Sequence, residues 1–321
     1  MTICLLAGWI SGMGNLMGQQ SPVFSQYVIN GFVVNPALAG IDGTFRMSIA
    51  AHDYLIGLKN GPKTFTAAAN GRLLISRAKV SKGKYVAGRS GKVGMGGLIY
   101  SDFNGLIKRT GIQYTYAYHV SLNLDRTSHL SFGLSAAISQ TKIDAPELQP
   151  HEYEPLLANG FHNTTYVPDA VLGAVYRYKS SYVGLTASNL FQRSFQFKRN
   201  EFDYDYVMYR HYFLMAGSTI ELNNDYLFTP SLLAKVTSNG VYQAEISTML
   251  AFRDDVWLAF SYRTPNIASA MIGFRAGKVY AGYAYEYNFG SIRTISKGSQ
   301  ELVLMYRIGD PTRRYRWGNR F

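Results

Sequence analysis

The sequence predicts an all-β chain: a transmembrane antiparallel β-barrel of about 14 strands. Three observations predict it. Stretch after stretch alternates with period 2, large apolar or aromatic residues on one face and small or polar ones on the other. The composition is rich in tyrosine (25) and glycine (31) with only 16% charged residues, below the roughly 25% of ordinary soluble domains. The turns at one rim are short, the basic turn after the second strand excepted, and the two long connections fall at the other rim, as in outer-membrane barrels. No segment reaches the ~18 uninterrupted apolar residues of a spanning helix. With 321 residues and no linker or fixed-period repeat, a single barrel is expected.

Taken in order, MTICLLAGWISGMGNLMGQQ begins with a short apolar run, Ile3 to Trp9, followed by small residues. That is the outline of a secretory signal peptide, expected over 1–18 with cleavage after Gly18. No Lys or Arg stands at its front, which points to a misassigned start codon. A buried helix is the other reading, weakened by Gly8, Gly12 and Gly14. The single cysteine, Cys4, falls in this segment, so the mature chain is expected to hold neither a disulfide nor a Cys-ligated metal. Next comes SPVFSQYVINGFVVNPALAG, Ser21 to Gly40, with no charged side chain in it or anywhere before Asp42. It is too polar for a membrane helix and too irregular for an amphipathic one.

The strands follow. Expected spans are 44–54, 64–75, 92–102, 108–122, 128–140, 166–179, 181–190, 210–222, 225–236, 239–252, 254–264, 266–275, 278–289 and 299–308. In QYTYAYHVSL, Tyr114, Tyr116, Tyr118 and Val120 alternate with Thr115, Ala117, His119 and Ser121. In LSFGLSAAIS, Phe132, Leu134 and Ile138 alternate with Gly133, Ser135 and Ser139. In AGYAYEYNF, Tyr283, Tyr285 and Tyr287 alternate with Gly282, Ala284 and Glu286, and VWLAFSYR and ELVLMYRI repeat the pattern. A soluble sandwich alternates too, but a tyrosine-rich face opposite a Gly/Ala/Ser face fits lipid outside and a polar lumen inside. With the N-terminus periplasmic, the short turns at 123–127, 180, 223–224, 253 and 276–277 are periplasmic and the long connections 141–165 and 191–209 lie outside the cell.

The net charge is +12. It concentrates in the turn after the second strand (Arg77, Lys79, Lys82, Lys84, Arg89, Lys92) and in the tail after the last (Arg313, Arg314, Arg316, Arg320). Solvated or lipid-contacting loops are the plain reading; a docking surface for a periplasmic partner is the sharper one. Pro311 and the arginines favour a free tail over an extra strand. Nucleic acid is not an expected partner of an exported barrel.

Catalytic signatures are weak. There is no Gly-rich phosphate loop followed by Lys and no His pair at metal spacing. The six histidines, His52, His119, His129, His151, His162 and His211, are scattered. A Ser/His/Asp site can assemble from distant residues, but none is evident, so no enzyme activity and no cofactor is expected. His119 reads as a hydrogen-bonded lumen residue, and Glu286, Arg263, Glu301 and Arg307 as a structural charge network facing the lumen.

Several blocks carry a resemblance. They are, in order, SPVFSQYVINGFVVNPALAG, GPKTFTAAANGRL, VGMGGLIYSDFNGLIKRTGIQYTYAYHVSL, LSFGLSAAISQTKID, VGLTASNLFQ, RHYFLMAGSTIEL with TPSLLAKV, WLAFSYR and GSQELVLMYRI. Together these blocks, about Ser21 to Ile308, resemble the PorP/SprF family of type IX secretion system membrane proteins. The departures are the missing basic front, the basic turn at 76–92 and the Arg-rich tail. The resemblance implies an integral outer-membrane barrel of a Gram-negative bacterium, FadL-like in size, in the secretion and gliding apparatus. It implies support for export or surface attachment of proteins with C-terminal secretion signals, including large adhesins. Implied partners are outer-membrane lipid, periplasmic ring lipoproteins, a peptidoglycan-binding lipoprotein and a secreted adhesin or cargo. An outer-membrane channel for small or hydrophobic solutes is the alternative.

The chain then divides into 1–18 signal peptide, 19–43 periplasmic or plug segment, 44–308 barrel and 309–321 basic periplasmic tail. The plug segment is expected to fold back into or under the barrel through Phe24, Gln26, Tyr27, Asn30 and Asn35, with Pro36 and Gly40 setting the turn into the first strand. A terminus without contacts is the plain alternative; the density of aromatics argues against it.

Overall fold

The structure is a computed structural model. It describes residues 27, 29–58, 60–73, 92–123, 127–145, 161–192, 194–199, 202–253, 255–294 and 296–309. Fourteen antiparallel strands form a closed barrel. They are β1 Phe45–Asp53, β2 Lys63–Arg72, β3 Val93–Asn104, β4 Ile107–Ser121, β5 Ser128–Ala145, β6 Phe161–Tyr178 and β7 Ser181–Ser188. The second half holds β8 His211–Ser218, β9 Tyr226–Thr237, β10 Tyr242–Phe252, β11 Val256–Arg263, β12 Ile267–Ala276, β13 Val279–Asn288 and β14 Ser299–Ile308. Each strand pairs with its neighbours in sequence. β1 closes the ring on β14, with Phe45 opposite Ile308 and Asp53 opposite Gln300. Both ends of the barrel chain therefore lie at one rim, called here the terminal end.

The alternation is expressed in full. Phe132, Leu134, Ile138, Ile112, Tyr114 and Phe260 point outward and are about half exposed. Ser131, Thr115, Ser135, Ser247, Glu245, Glu286 and Arg263 point inward and are buried. A soluble protein buries the first set and exposes the second. The inversion is what a lipid solvent demands, and closure pairs neighbouring strands all the way around the ring. Inward hydroxyls pair across strands, Thr115 with Ser135 at 2.8 Å, Ser231 with Ser247 at 2.6 Å and Ser261 with Ser269 at 2.6 Å. Such pairs satisfy polar groups that have no bulk water beside them.

The structure departs from the expected spans at the far rim. β5 and β6 run on to Ala145 and back from Phe161 as one tall hairpin, with Thr141 opposite Thr165. The long connection expected at 141–165 therefore contains strand at both ends. Its polar residues (Thr141, Lys142, Thr164, Thr165) hid the ladder, since strand signals are strongest where one face is apolar. The connection expected at 191–209 holds a separate two-stranded hairpin, Ser194–Arg199 with Phe202–Val207. β7 stops at Ser188, where Asn189 adopts a positive φ of 55°.

Candidate functional site: the occupied lumen

Eight strands enclose an interior just wide enough for side chains; fourteen enclose more space than side chains fill. Here the extra space at the terminal end is taken by the chain's own N-terminal segment. Two short 3-10 turns, Gly31–Val33 and Pro36–Leu38, carry it across the lumen before it enters β1. Tyr27, Phe32, Asn35, Ala37, Leu38, Ala39 and Ile41 are all buried inside the ring.

The contacts explain the residue types. Tyr27 is 1% exposed, and its hydroxyl sits 3.3 Å from Ser231 Oγ and 3.2 Å from Ser247 Oγ. Burial, and then the nearby Glu245 carboxylate, raise its pKa and keep the phenol neutral. Asn30 Nδ2 donates to Ser48 Oγ at 2.9 Å. Asn35 works in two directions. Its Oδ1 accepts from Ala37 N at 2.9 Å, capping the second turn. Its Nδ2 donates to Leu185 O at 3.1 Å and Ala174 O at 3.4 Å on the wall. Pro36 follows as the first residue of that turn, where its missing N–H costs nothing.

The wall is cut to fit. A Cβ at Gly133 would lie 2.7 Å from Ala37 Cα, and one at Gly173 would lie 2.8 Å from Pro36 Cδ. At Gly94 a Cβ would overlap the Ala39 carbonyl. These glycines stand on β5, β6 and β3 and let the segment's backbone rest directly on the sheet. The same carbonyl accepts from His119 Nε2 at 2.9 Å, while His119 Nδ1 lies 2.8 Å from Ser131 Oγ. With Nε2 donating to a carbonyl, Nδ1 accepts from the serine in a neutral ring.

Gly40 closes the segment. Its φ of +63° favours glycine, and an added Cβ would meet the Gly71 backbone at 2.5 Å. Its N–H donates to Asn70 Oδ1 at 3.1 Å, and Arg72 holds the Gly40 and Ile41 carbonyls at 3.0 and 2.8 Å. Asp42 then pairs with Arg46 and accepts from Thr44 Oγ1 at 2.7 Å as β1 begins.

Farther from the terminal end, one side of the lumen is crossed by a charged cluster. Arg263 Nε donates to Glu245 Oε2 at 2.7 Å, and its Nη2 pairs with Glu286. His52 stands between Glu286 at 3.8 Å and Glu301 at 3.6 Å. The network expected of Glu286, Arg263, Glu301 and Arg307 thus gains Glu245 and His52. Arg307 stands apart, 4.9 Å over the Tyr280 ring. No group of three or more His, Cys, Asp or Glu that could hold a metal ion occurs among the described residues.

Of the residues singled out in the sequence, Tyr27, Asn30, Asn35, Pro36 and Gly40 come together in the lumen. Lys92 is exposed at the terminal end, and its carbonyl accepts from His119 N at 2.7 Å. Phe24, Gln26, Arg77, Lys79, Lys82, Lys84, Arg89, Arg313, Arg314, Arg316 and Arg320 lie outside the described residues. Sequence reasoning missed Asn70, Arg72, Glu245, His52 and the wall glycines. The signal was present in part: VGMGG, LSFGLS and VLGAV each place glycine on the inward face.

Among solved structures, the chain is similar to a FadL homologue from Pseudomonas aeruginosa at 10% identity, covering 90% of this chain and 94% of that one, TM-score 0.48. It is also similar to the CymD monoaromatic hydrocarbon channel (10%, 87% and 91%, TM-score 0.47) and to the P. putida toluene transporter TodX (8%, 90% and 95%, TM-score 0.46). Likenesses at this level bear on neither substrate nor activity. No curated protein matches the chain. The family model for the type IX secretion system membrane protein PorP/SprF matches residues 16–306, nearly the whole of the barrel and its lumenal segment. The chain belongs to the PorP/SprF family of type IX secretion system membrane proteins, as an integral β-barrel of the outer membrane.

Proposed function

We propose that this barrel serves type IX secretion by docking, without turnover and without conducting solutes. It supports export or surface attachment of proteins with C-terminal secretion signals. The observation that carries this reading is the lumenal segment, seated on wall glycines and held by Asn35, His119 and Arg72. A lumen occupied in this way leaves its two rims as the working surfaces. The terminal end faces the periplasm, where ring lipoproteins and a peptidoglycan-binding lipoprotein are the partners. The turn with Arg77, Lys79, Lys82, Lys84, Arg89 and Lys92 and the tail with Arg313, Arg314, Arg316 and Arg320 supply a basic surface for them. The far rim, with the tall β5–β6 hairpin, meets the secreted adhesin or cargo. Residues 1–18 act as the signal peptide, 19–43 as the plug and 309–321 as a free periplasmic tail.

Deleting the gene and blotting cells and medium for proteins with C-terminal secretion signals tests the proposal. Loss of all of them from the surface marks a core component. Loss or shedding of one marks a dedicated partner of that cargo. Unchanged secretion overturns the docking reading in favour of a solute channel.

A further inference from the structure

The lumen is divided lengthwise. The charged cluster occupies the side made by β1, β10, β11, β13 and β14. On the other side, between β2 and β9, a chamber of about 160 Å³ stands above the lumenal segment. Its floor is Val33, Val34 and Pro36. Leu98, Val171, Phe213 and Leu233 give it apolar walls, and Arg109, Gln113, Ser139 and Ser188 line it as well. Three of the polar groups in its lining are engaged by the protein itself. Asp102 accepts from Thr64 Oγ1 at 2.7 Å and faces Arg109 across the β3–β4 ladder. Asp169 accepts from Ala170 N at 2.7 Å and Phe191 N at 3.2 Å, and Asn189 donates to Tyr209 O at 3.0 Å.

From this chamber we propose a ligand site for a small, single-ring apolar molecule bearing one hydrogen-bond donor. The size sets the class: an apolar cavity of roughly 150 Å³ takes one benzene. The walls set the chemistry, since a mostly apolar pocket with a few convergent polar groups is the usual form of a small-molecule site. The Asp102 carboxylate sets the orientation, as an acceptor in the chamber's lining. The site is independent of the docking reading, because the chamber lies inside the ring and the proposed docking surfaces lie at its rims.

Fluorine NMR of 4-fluorophenol, titrated with the full chain in lipid nanodiscs, tests this directly. Fluorobenzene serves as the ligand without a donor. Saturable binding of 4-fluorophenol is expected, at least roughly tenfold tighter than fluorobenzene, the ratio that a hydrogen bond to a charged group supplies. Val171→Phe fills the chamber and is expected to abolish saturable binding. Leu233→Trp, from the opposite wall, serves as a second filled variant. Heat-modifiable migration in gels shows that each variant is a folded barrel. Absence of saturable binding, or equal binding to the folded filled variants, overturns the site. Equal affinity for the two probes overturns the role given to Asp102.

Discussion

Replacing Gly133 with Val is expected to loosen the lumenal segment while leaving the barrel closed. Gly133 sits inside β5, opposite Ala117 on one side and Gly173 on the other. A β-branched residue suits that ladder. On the lumen face, however, the new Cβ would lie 2.7 Å from Ala37 Cα, and it would meet backbone that has no rotamer to change. Overpacking of this kind costs about 1–3 kcal/mol. Moving Pro36 and Ala37 off the wall also stretches the two hydrogen bonds from Asn35 Nδ2, at ~0.5–1.5 kcal/mol each. The free energy that holds the segment in place should fall by about 2–6 kcal/mol, which raises its undocked population roughly 30-fold to 10⁴-fold. The assay uses Leu38→Cys, a residue 3% exposed, in a Cys4→Ser background. Labelling by a membrane-impermeant maleimide then tracks the undocked population. Gly97→Ala is the control, since its added Cβ meets nothing nearer than 3.7 Å. Labelling that is equal in Gly133→Val and in the control would refute the glycine-groove reasoning.

Three further predictions use other parts of the wall. Asn35→Ala removes three hydrogen bonds and should speed the same labelling by about 10-fold or more, at ~0.5–1.5 kcal/mol per bond; an unchanged rate refutes the clamp. Arg263→Met removes the arginine that pairs with both buried Glu245 and buried Glu286 and should destabilise the barrel by about 3–5 kcal/mol. Urea unfolding in lipid measures that loss, and the triple change adding Glu245→Gln and Glu286→Gln should recover most of it. Tyr114→Arg places a charge on the outward face near the middle of β4 and should cost ~2–4 kcal/mol if that face meets lipid at mid-depth. A cost near zero in the same unfolding measurement would put Tyr114 at an interface.

The barrel was legible in the sequence because one physical rule writes it. Lipid outside and polar lumen inside force a two-residue period on every strand, and Tyr114 to Val120 or Phe132 to Ile138 show it without ambiguity. The rule fades beyond the bilayer, where both faces of a strand meet water. Thr141 and Thr165 therefore read as loop, although they pair in the tall β5–β6 hairpin. The lumenal segment was legible by exclusion, as an aromatic and amide-rich stretch with no strand or helix period. Its seat was not, because Asn70 and Arg72 on β2 meet Gly40 only after the chain turns back on itself. Inward glycines look alike in sequence, whether they make room for a segment or serve a bend. The charge cluster was half legible: Arg263, Glu286 and Glu301 stand on inward positions of clear strands. Glu245 and His52 join them through pairing across β10–β11 and β1–β14, which no single strand reveals.

The central claim is that the N-terminal segment closes the lumen, and conductance in planar bilayers tests it most directly. The full chain should insert without resolvable current steps, and a version lacking residues 27–43 should conduct. Stable ohmic steps from the intact, folded chain would contradict the claim and make this barrel a channel.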